Sequence, residues 1–347
     1  MILGIDVGGT HTDAVLLENF QVRKKTKVPT NQLRLVSSLI GVMDEILRDE
    51  NPAAIERVVF STTLSTNAIV QGKTDRVGMI VASGPGLARE DLRVSEDTRF
   101  VSGYVSNRGI EVAPIKKGEV EAAASDLKAS GIAHLGVVGK FSTRNPAHEN
   151  EIGELVGNGF GHVSFGHRLS GNLNFRRRIA TAFLNASVFD LYQQFVGEIL
   201  EFASRAGIAA PIYILKADGG TVEIRRSAEQ PVQTILSGPA ASVMGILSLA
   251  DCSGADGVIL DMGGTTTDIA LLAGGAPLLE PLGVTIEGHR TLIRGLKTRS
   301  IGLGGDSRVR VDGGKLVIGP RREGPAAAFG GPWPPPTDAM IGLGPVP

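Results

Sequence analysis

Ile5-Asp6-Val7-Gly8-Gly9-Thr10-His11-Thr12-Asp13-Ala14-Val15-Leu16-Leu17 returns 255 residues later as Leu260-Asp261-Met262-Gly263-Gly264-Thr265-Thr266-Thr267-Asp268-Ile269-Ala270-Leu271-Leu272. Both aspartates, the glycine pair, two threonines and the closing leucines coincide. A repeat at such separation implies two related halves. In each copy a short apolar strand runs into Asp-x-Gly-Gly, and a second follows Thr-x-Thr-Asp, the pattern of a β-hairpin. Glycines leave backbone N–H groups open toward an anion, and threonine hydroxyls add donors. The aspartate ending the first strand can hold Mg²⁺ directly or through water. One such turn alone reads equally well as an ordinary tight turn. Two with matching Asp and Thr positions favour a shared polyphosphate.

Competing phosphate motifs are incomplete. Gln71-Gly72-Lys73-Thr74 has Asn67 where a P-loop needs its first glycine. Gly84-Pro85-Gly86 has Arg89 in place of the third glycine of a dinucleotide fingerprint. Both read as turns.

The surrounding sequence suits an α/β protein of two domains. Its 347 residues are 42% hydrophobic and 20% charged, with 46 glycines, so it reads as globular rather than disordered. A formal net charge of -1 argues against a nucleic-acid partner held by phosphate neutralisation. The lone Cys252 excludes an internal disulfide and reads as a buried structural residue. Ile2 to Val7 opens the chain as a strand without a basic leader or long apolar run. No signal peptide or membrane span is expected, and a cytoplasmic location is the default.

Leu35, Leu39, Val42, Ile46 and Leu47 recur at helical spacing as a core stripe. Val58 to Phe60, Val77 to Ala82 and Leu135 to Val138 read as buried strands. From Asn174 to Arg205 the pattern predicts one long helix stopped at Gly207. Arg176, Arg177 and Arg178 at its start read as a solvated or phosphate-facing helix end.

Paired Asp-x-Gly-Gly-Thr hairpins resemble the two phosphate motifs of the actin, sugar-kinase and chaperone ATPase superfamily. Ser237-Gly238-Pro239-Ala240-Ala241-Ser242-Val243-Met244-Gly245 resembles its first connecting helix. Ser61 to Ala68, Gly166 to Gly171 with Ala180 to Ala186, and Lys216-Ala217-Asp218-Gly219-Gly220-Thr221 narrow the likeness. Together they resemble the hydantoinase/oxoprolinase family along almost the whole chain. The implied fold is α/β, with duplicated actin-like (ribonuclease H-like) ATPase domains. Its regions would be 1–173, with the first hairpin, and 174–347, with the connecting helix and the second hairpin. Only about 75 residues follow Leu272, so the second domain is expected to be incomplete: a short family member or part of a longer one. The proline-rich run Gly330 to Pro336 is expected to leave little regular structure.

The resemblance implies ATP-dependent hydrolysis of a cyclic amide, such as a hydantoin or 5-oxoproline, through phosphorylation of the amide carbonyl. Asp6 and Asp261 would be the catalytic and Mg²⁺-holding carboxylates. Gly8, Gly9, Thr10, His11, Thr12, Gly263, Gly264, Thr265 and Thr266 would cradle ATP, and Gly304 and Gly305 either approach it or form a plain turn. His11 suits a polar contact better than a metal, since no second ligand stands at metal spacing. His167 is placed by the resemblance near an interdomain cleft, and a satisfied structural histidine is the alternative. Expected partners are a small cyclic-amide substrate, a further copy of the chain and a second hydantoinase-type subunit. Other readings stay open: a clamp, chaperone or enzyme reactivator, a small-molecule kinase, or the ATP-using subunit of a carboxylase.

Overall fold

Burial alternates along the first strand, with Leu3, Ile5 and Val7 enclosed and their neighbours half-covered, as one sheet face packed on a core requires. The computed structural model describes residues 1–8, 11–30 and 35–344. Along the chain run β1 (Ile2–Val7), β2 (His11–Glu18), β3 (Gln21–Pro29), α1 (Leu35–Leu47), β4 (Arg57–Thr62), α2 (Leu64–Val70) and β5 (Val77–Ala82). Next come β6 (Thr98–Val101), the short pair β7 (Tyr104–Val105) and β8 (Glu111–Ala113), α3 (Lys117–Ala129) and β9 (His134–Gly139). They are followed by α4 (Ala147–Val156), β10 (His162–Phe165), α5 (Gly166–Leu169), α6 (Phe175–Ser187) and α7 (Phe189–Arg205). Then β11 (Ile212–Leu215), β12 (Thr221–Glu223), α8 (Ile224–Ser227) and α9 (Ser237–Leu249) lead to the repeat.

The contacts divide the chain into two compact units, residues 1–238 with 280–295, and residues 239–279 with 296–347. The first unit holds two sheets. One has the order β12-β11-β4-β1-β2-β3, with β1 antiparallel to β2 and parallel to β4. Leu39, Val42, Met43 and Ile46 of α1 share a core with Tyr192, Phe195 and Ile199 of α7 and with Leu3, Ile5 and Phe60 of the strands. Leu39, Val42, Ile46 and Leu47 of the stripe expected from spacing lie on this face of α1, and the Leu35 side chain lies outside the described residues.

The other sheet, β10-β9-β5-β6, is parallel throughout. Every residue of β5 and β9 is buried, because helices cover both faces. Met79 and Val81 meet Ile179 and Ala182 of α6 on one side. Ile80 and Val137 meet Val120 and Leu127 of α3 and Ile152 of α4 on the other. The short pair β16 (Thr285–Ile286) and β17 (His289–Arg290) also belongs to this unit.

The expected single helix over 174–205 is two helices. Val188 leaves helical geometry at φ -112, ψ 7, and Ser187 O accepts the Asp75 N–H at 3.0 Å instead of continuing the ladder. The cause is packing: α6 buries itself against the parallel sheet and α7 against the mixed one, and one straight axis cannot serve both. Of the three arginines, Arg176 is exposed as expected, and Arg177 and Arg178 differ. Arg176 pairs with Asp91 at 2.7 Å, Arg177 donates to the carbonyls of Leu282, Gly283 and Thr291, and Arg178 is buried.

In the second unit β13 (Gly257–Met262) pairs with β14 (Thr267–Ala273), which also carries β15 (Ala276–Pro277) and β18 (Thr298–Ile301). A hairpin of β19 (Ser307–Asp312) and β20 (Lys315–Arg322) follows. Residues 330–335 form neither helix nor strand, as their prolines and glycines suggest, and a short helix follows them. α10 spans Pro336–Leu343, and Asp338 in its first turn accepts the N–H groups of Ala327 and Ala328, both at 2.8 Å. Cys252 is half-buried in the loop before β13. Among the described residues no helix is long and apolar enough to cross a membrane.

Candidate functional site

In the first hairpin Asp6 stands opposite Asp13 and Val7 opposite Thr12. The Gly8 N–H donates to His11 O at 3.0 Å. A Cβ on Gly8 would lie 2.9 Å from that oxygen, so the backbone approach itself demands glycine. Gly9 and Thr10, both expected phosphate contacts, lie outside the described residues. His11 is exposed, whereas Thr12 is buried with its hydroxyl 2.9 Å from that of Thr30. Asp13 is held by Lys27 Nζ at 2.7 Å on the neighbouring strand, which gives it a structural part.

The stretch 61–68 comes to the same end of the sheet. β4 lies beside β1 with Val7 paired to Thr62, and the Thr63 N–H and hydroxyl both donate to Val7 O at 3.2 Å. Asn67 Nδ2 donates to the Thr63 hydroxyl at 3.0 Å. Ser237 Oγ donates to Thr62 O at 2.8 Å, and the Leu236 N–H donates to the Thr66 hydroxyl at 3.0 Å. Three stretches singled out by sequence therefore meet at the carboxyl ends of β1 and β4. Strand carboxyl ends are where α/β sheets bind ligands.

The second hairpin repeats the register: Asp261 faces Asp268, and the Gly263 N–H donates to Thr266 O at 2.9 Å. Asp261 Oδ2 accepts the Ser242 hydroxyl at 2.5 Å, so the connecting helix α9 orients this carboxylate. Asp268 accepts from Ser300 Oγ, and the buried Thr267 hydroxyl donates to Leu303 O at 2.6 Å. Thr265 and Thr266 are exposed and offer their hydroxyls to solvent. The glycine stretch 302–305 packs directly on this turn. The Gly305 and Asp306 N–H groups donate to Gly263 O and Gly264 O, each at 2.8 Å. A Cβ on Gly304 would lie 2.6 Å from the backbone of Gly264 and Thr265. Gly304 and Gly305 thus brace the second hairpin from behind.

Sequence reasoning missed Glu149. It sits in α4 on the apolar face with Ile152 and Val156, yet is 0% exposed. Its carboxylate accepts the Gly139 N–H at 2.8 Å, the His167 N–H at 2.8 Å and His167 Nδ1 at 2.5 Å. That set replaces the water a buried anion loses. With its Nδ1 proton committed to the carboxylate, His167 keeps Nε2 for another partner. Burial pushes the Arg178 guanidinium below its ordinary range, and the Glu149 charge partly offsets this. Arg178 Nε, Ser142 Oγ and His148 Nε2 are buried without a hydrogen-bond partner, the last with Glu111 Oε1 3.9 Å away, a concentration of unmet polar capacity after the ends of β9 and β10. The signal in the sequence was a carboxylate on the apolar side of an amphipathic helix.

Two family models match the chain: hydantoinase/oxoprolinase N-terminal region over residues 2–159, and hydantoinase/oxoprolinase over residues 178–347. The chain is 27% identical to the caprolactamase alpha subunit of Pseudomonas jessenii, over 99% of its own length and 54% of that protein. It is 25% identical to the acetophenone carboxylase gamma subunit of Aromatoleum aromaticum, over 99% of its length and 53% of that protein. It therefore spans about half the length of the curated relatives it matches. The crystal structure of the ATP-dependent caprolactamase from Pseudomonas jessenii superposes with a TM-score of 0.77 at 23% identity, over 100% of this chain and 55% of that one. This likeness shows the fold, which is the actin-like α/β fold expected from the paired hairpins. With one model matching each half, the chain belongs to the hydantoinase/oxoprolinase family.

Proposed function

We propose that this chain is the ATP-using part of an enzyme that opens a cyclic amide of the hydantoin or 5-oxoproline type by phosphorylating its carbonyl. The observation that carries the reading is the shared register of two Asp-x-Gly-Gly-Thr hairpins, Asp6 on Asp13 and Asp261 on Asp268. On this reading regions 1–173 and 174–347 each contribute one hairpin. The donor set fits Mg-ATP: a tight glycine turn with no room for Cβ at Gly8, a second turn braced by Gly304, exposed hydroxyls on Thr265 and Thr266, and a carboxylate oriented by Ser242. Bound Mg-ATP supplies the phosphoryl group that turns an amide oxygen into a leaving group. The protein's share is positioning and charge neutralisation. Asp6 and Asp261 are the carboxylates for the cation. Gly8, Gly9, Thr10, His11, Gly263, Gly264, Thr265 and Thr266 line the phosphates, braced by Gly304 and Gly305, while Thr12, buried against Thr30, supports the first turn from inside. His167, held by Glu149, offers Nε2 to take a proton from water attacking the amide carbon.

Relatives named as subunits of a caprolactamase and of a carboxylase support an ATP-dependent enzyme over a clamp or reactivator. They also support a partner in the form of a second subunit. The carboxylase relative keeps one alternative, in which the phosphorylated carbonyl compound is carboxylated instead of hydrolysed. Isothermal titration with Mg-ATP tests the site. Asp6→Ala and Asp261→Ala should each weaken binding about ten- to a hundredfold, the worth of one contact to a charged group. Binding unchanged by both substitutions would exclude these hairpins as the nucleotide site. Turnover stimulated by 5-oxoproline, hydantoin or a lactam, measured with the partner subunit present, supports the hydrolase. Bicarbonate-dependent turnover of a ketone supports the carboxylase.

A further inference from the structure

At the amino ends of the strands in the parallel sheet, away from both hairpins and from the Glu149–His167 pair, three side chains converge. His134 opens β9, Asp75 lies just before β5, and Asp190 stands in the first turn of α7. Their donor atoms all lie within 4.8 Å of one another. His134 Nε2 is 3.1 Å from Asp190 Oδ2 and 3.8 Å from Asp75 Oδ2. The His134 side chain is only 4% exposed, and its Nδ1 is enclosed without a partner. All the polarity of this ring is therefore directed through Nε2 at the two carboxylates. Among the described residues, no lysine or arginine is ion-paired with either aspartate. The ring of Phe189 walls the site, stacked on His162 at 3.4 Å and tilted against His134 at 6.4 Å.

We propose that Asp75, His134 and Asp190 bind a divalent first-row transition metal of the zinc class. Two carboxylate oxygens and one imidazole nitrogen are such an ion's ligands, and bonds of about 2.0–2.2 Å in a tetrahedron put them roughly 3.4 Å apart. The measured 3.1 and 3.8 Å bracket that separation. The nitrogen donor disfavours Mg²⁺ and Ca²⁺, which take oxygen. With just three protein ligands, and no hydrogen bond steadying the far nitrogen of His134, the affinity belongs in the micromolar range rather than that of a closed structural zinc site. The ligands come from elements of different cores. α7 packs with the mixed sheet, while β5 and β9 belong to the parallel one. A bound ion therefore clasps the two sheets of the first unit together.

The test is titration of tag-free, nucleotide-free protein with Zn²⁺ and, for its visible ligand-field bands, Co²⁺. One ion per chain is expected, with a rise in melting temperature as the metal saturates. Asp190→Asn and Asp75→Asn, at exposed positions that the fold tolerates, should each weaken binding at least roughly tenfold. Asp251→Asn, on a loop of the other unit, should leave it unchanged. His134→Gln should abolish the Co²⁺ bands, and because His134 is buried its result counts only alongside a native circular-dichroism spectrum. Absence of binding at about 100 μM metal, far above the micromolar range expected for this ligand set, would overturn the proposal. So would binding that survives both aspartate substitutions, or a preference for Mg²⁺. Since no nucleotide enters this measurement, its outcome is separate from that of the hairpin assignment.

Discussion

Glu149 shows how much one residue can depend on its neighbours. Three donors surround its carboxylate, and truncation leaves Arg178 as a buried cation without its counter-charge. Glu149→Ala should lower stability by about 3 kcal/mol, the scale for leaving buried donors to a charged group unmet, read as the shift of a urea midpoint. Glu149→Gln should retain the fold better, yet release His167. At Gly304 the obstacle is steric. A methyl group there meets the Gly264 and Thr265 backbone at 2.6 Å, so Gly304→Ala should disturb the second hairpin, which a loss of Mg-ATP affinity without loss of helical signal would report. Glu119 sets a pH dependence. The Ser102 N–H, at 2.6 Å, and then its hydroxyl hold the Glu119 carboxyl below the ordinary 4.5. Its stabilisation is present above that value and disappears as pH falls through the lower folded one. Glu119→Gln should therefore flatten the acid limb of melting temperature against pH, and a limb of unchanged slope would contradict this. The hairpin residues were legible because two copies could be compared. Glu149 was not, since its partners, Gly139 at the end of β9 and His167 in α5, come from separate elements that only folding brings together.

At the scale of elements, the sequence spoke clearly where one face carried the whole signal. The stripe of α1 and the apolar run of β5 were read at nearly their observed bounds. The break between α6 and α7 was hidden, because periodicity continues through Val188 and only the destination of each buried face changes. Arg177 and Arg178 misled for a similar reason: one reaches carbonyls 105 to 114 residues away and the other the interior. Gly197 illustrates the reverse, a helix position with room to spare. Nothing lies within 4 Å of a Cβ built there, in the middle of α7. Gly197→Ala should raise stability by about 0.5–1 kcal/mol, the helical cost of glycine, visible as a higher melting temperature.

For the molecule as a whole, the two hairpins share a sequence but not a setting. β1 lies inside its sheet between β2 and β4, whereas β13 has β14 alone among the described residues. Val258, Leu260 and Met262 of β13 are consequently 61%, 63% and 54% exposed. An apolar edge strand is a template for unwanted pairing, so Leu260→Lys should reduce self-association in sedimentation velocity while leaving the melting temperature of the first unit unchanged. The same asymmetry separates the two copies in time. Strand opening at a rim needs the loss of one ladder, and in the interior the loss of two. Backbone deuterium uptake across 257–262 should run well ahead of that across 2–7. Of two nearly identical glycine turns, one is set into the middle of a sheet and the other hangs at a margin.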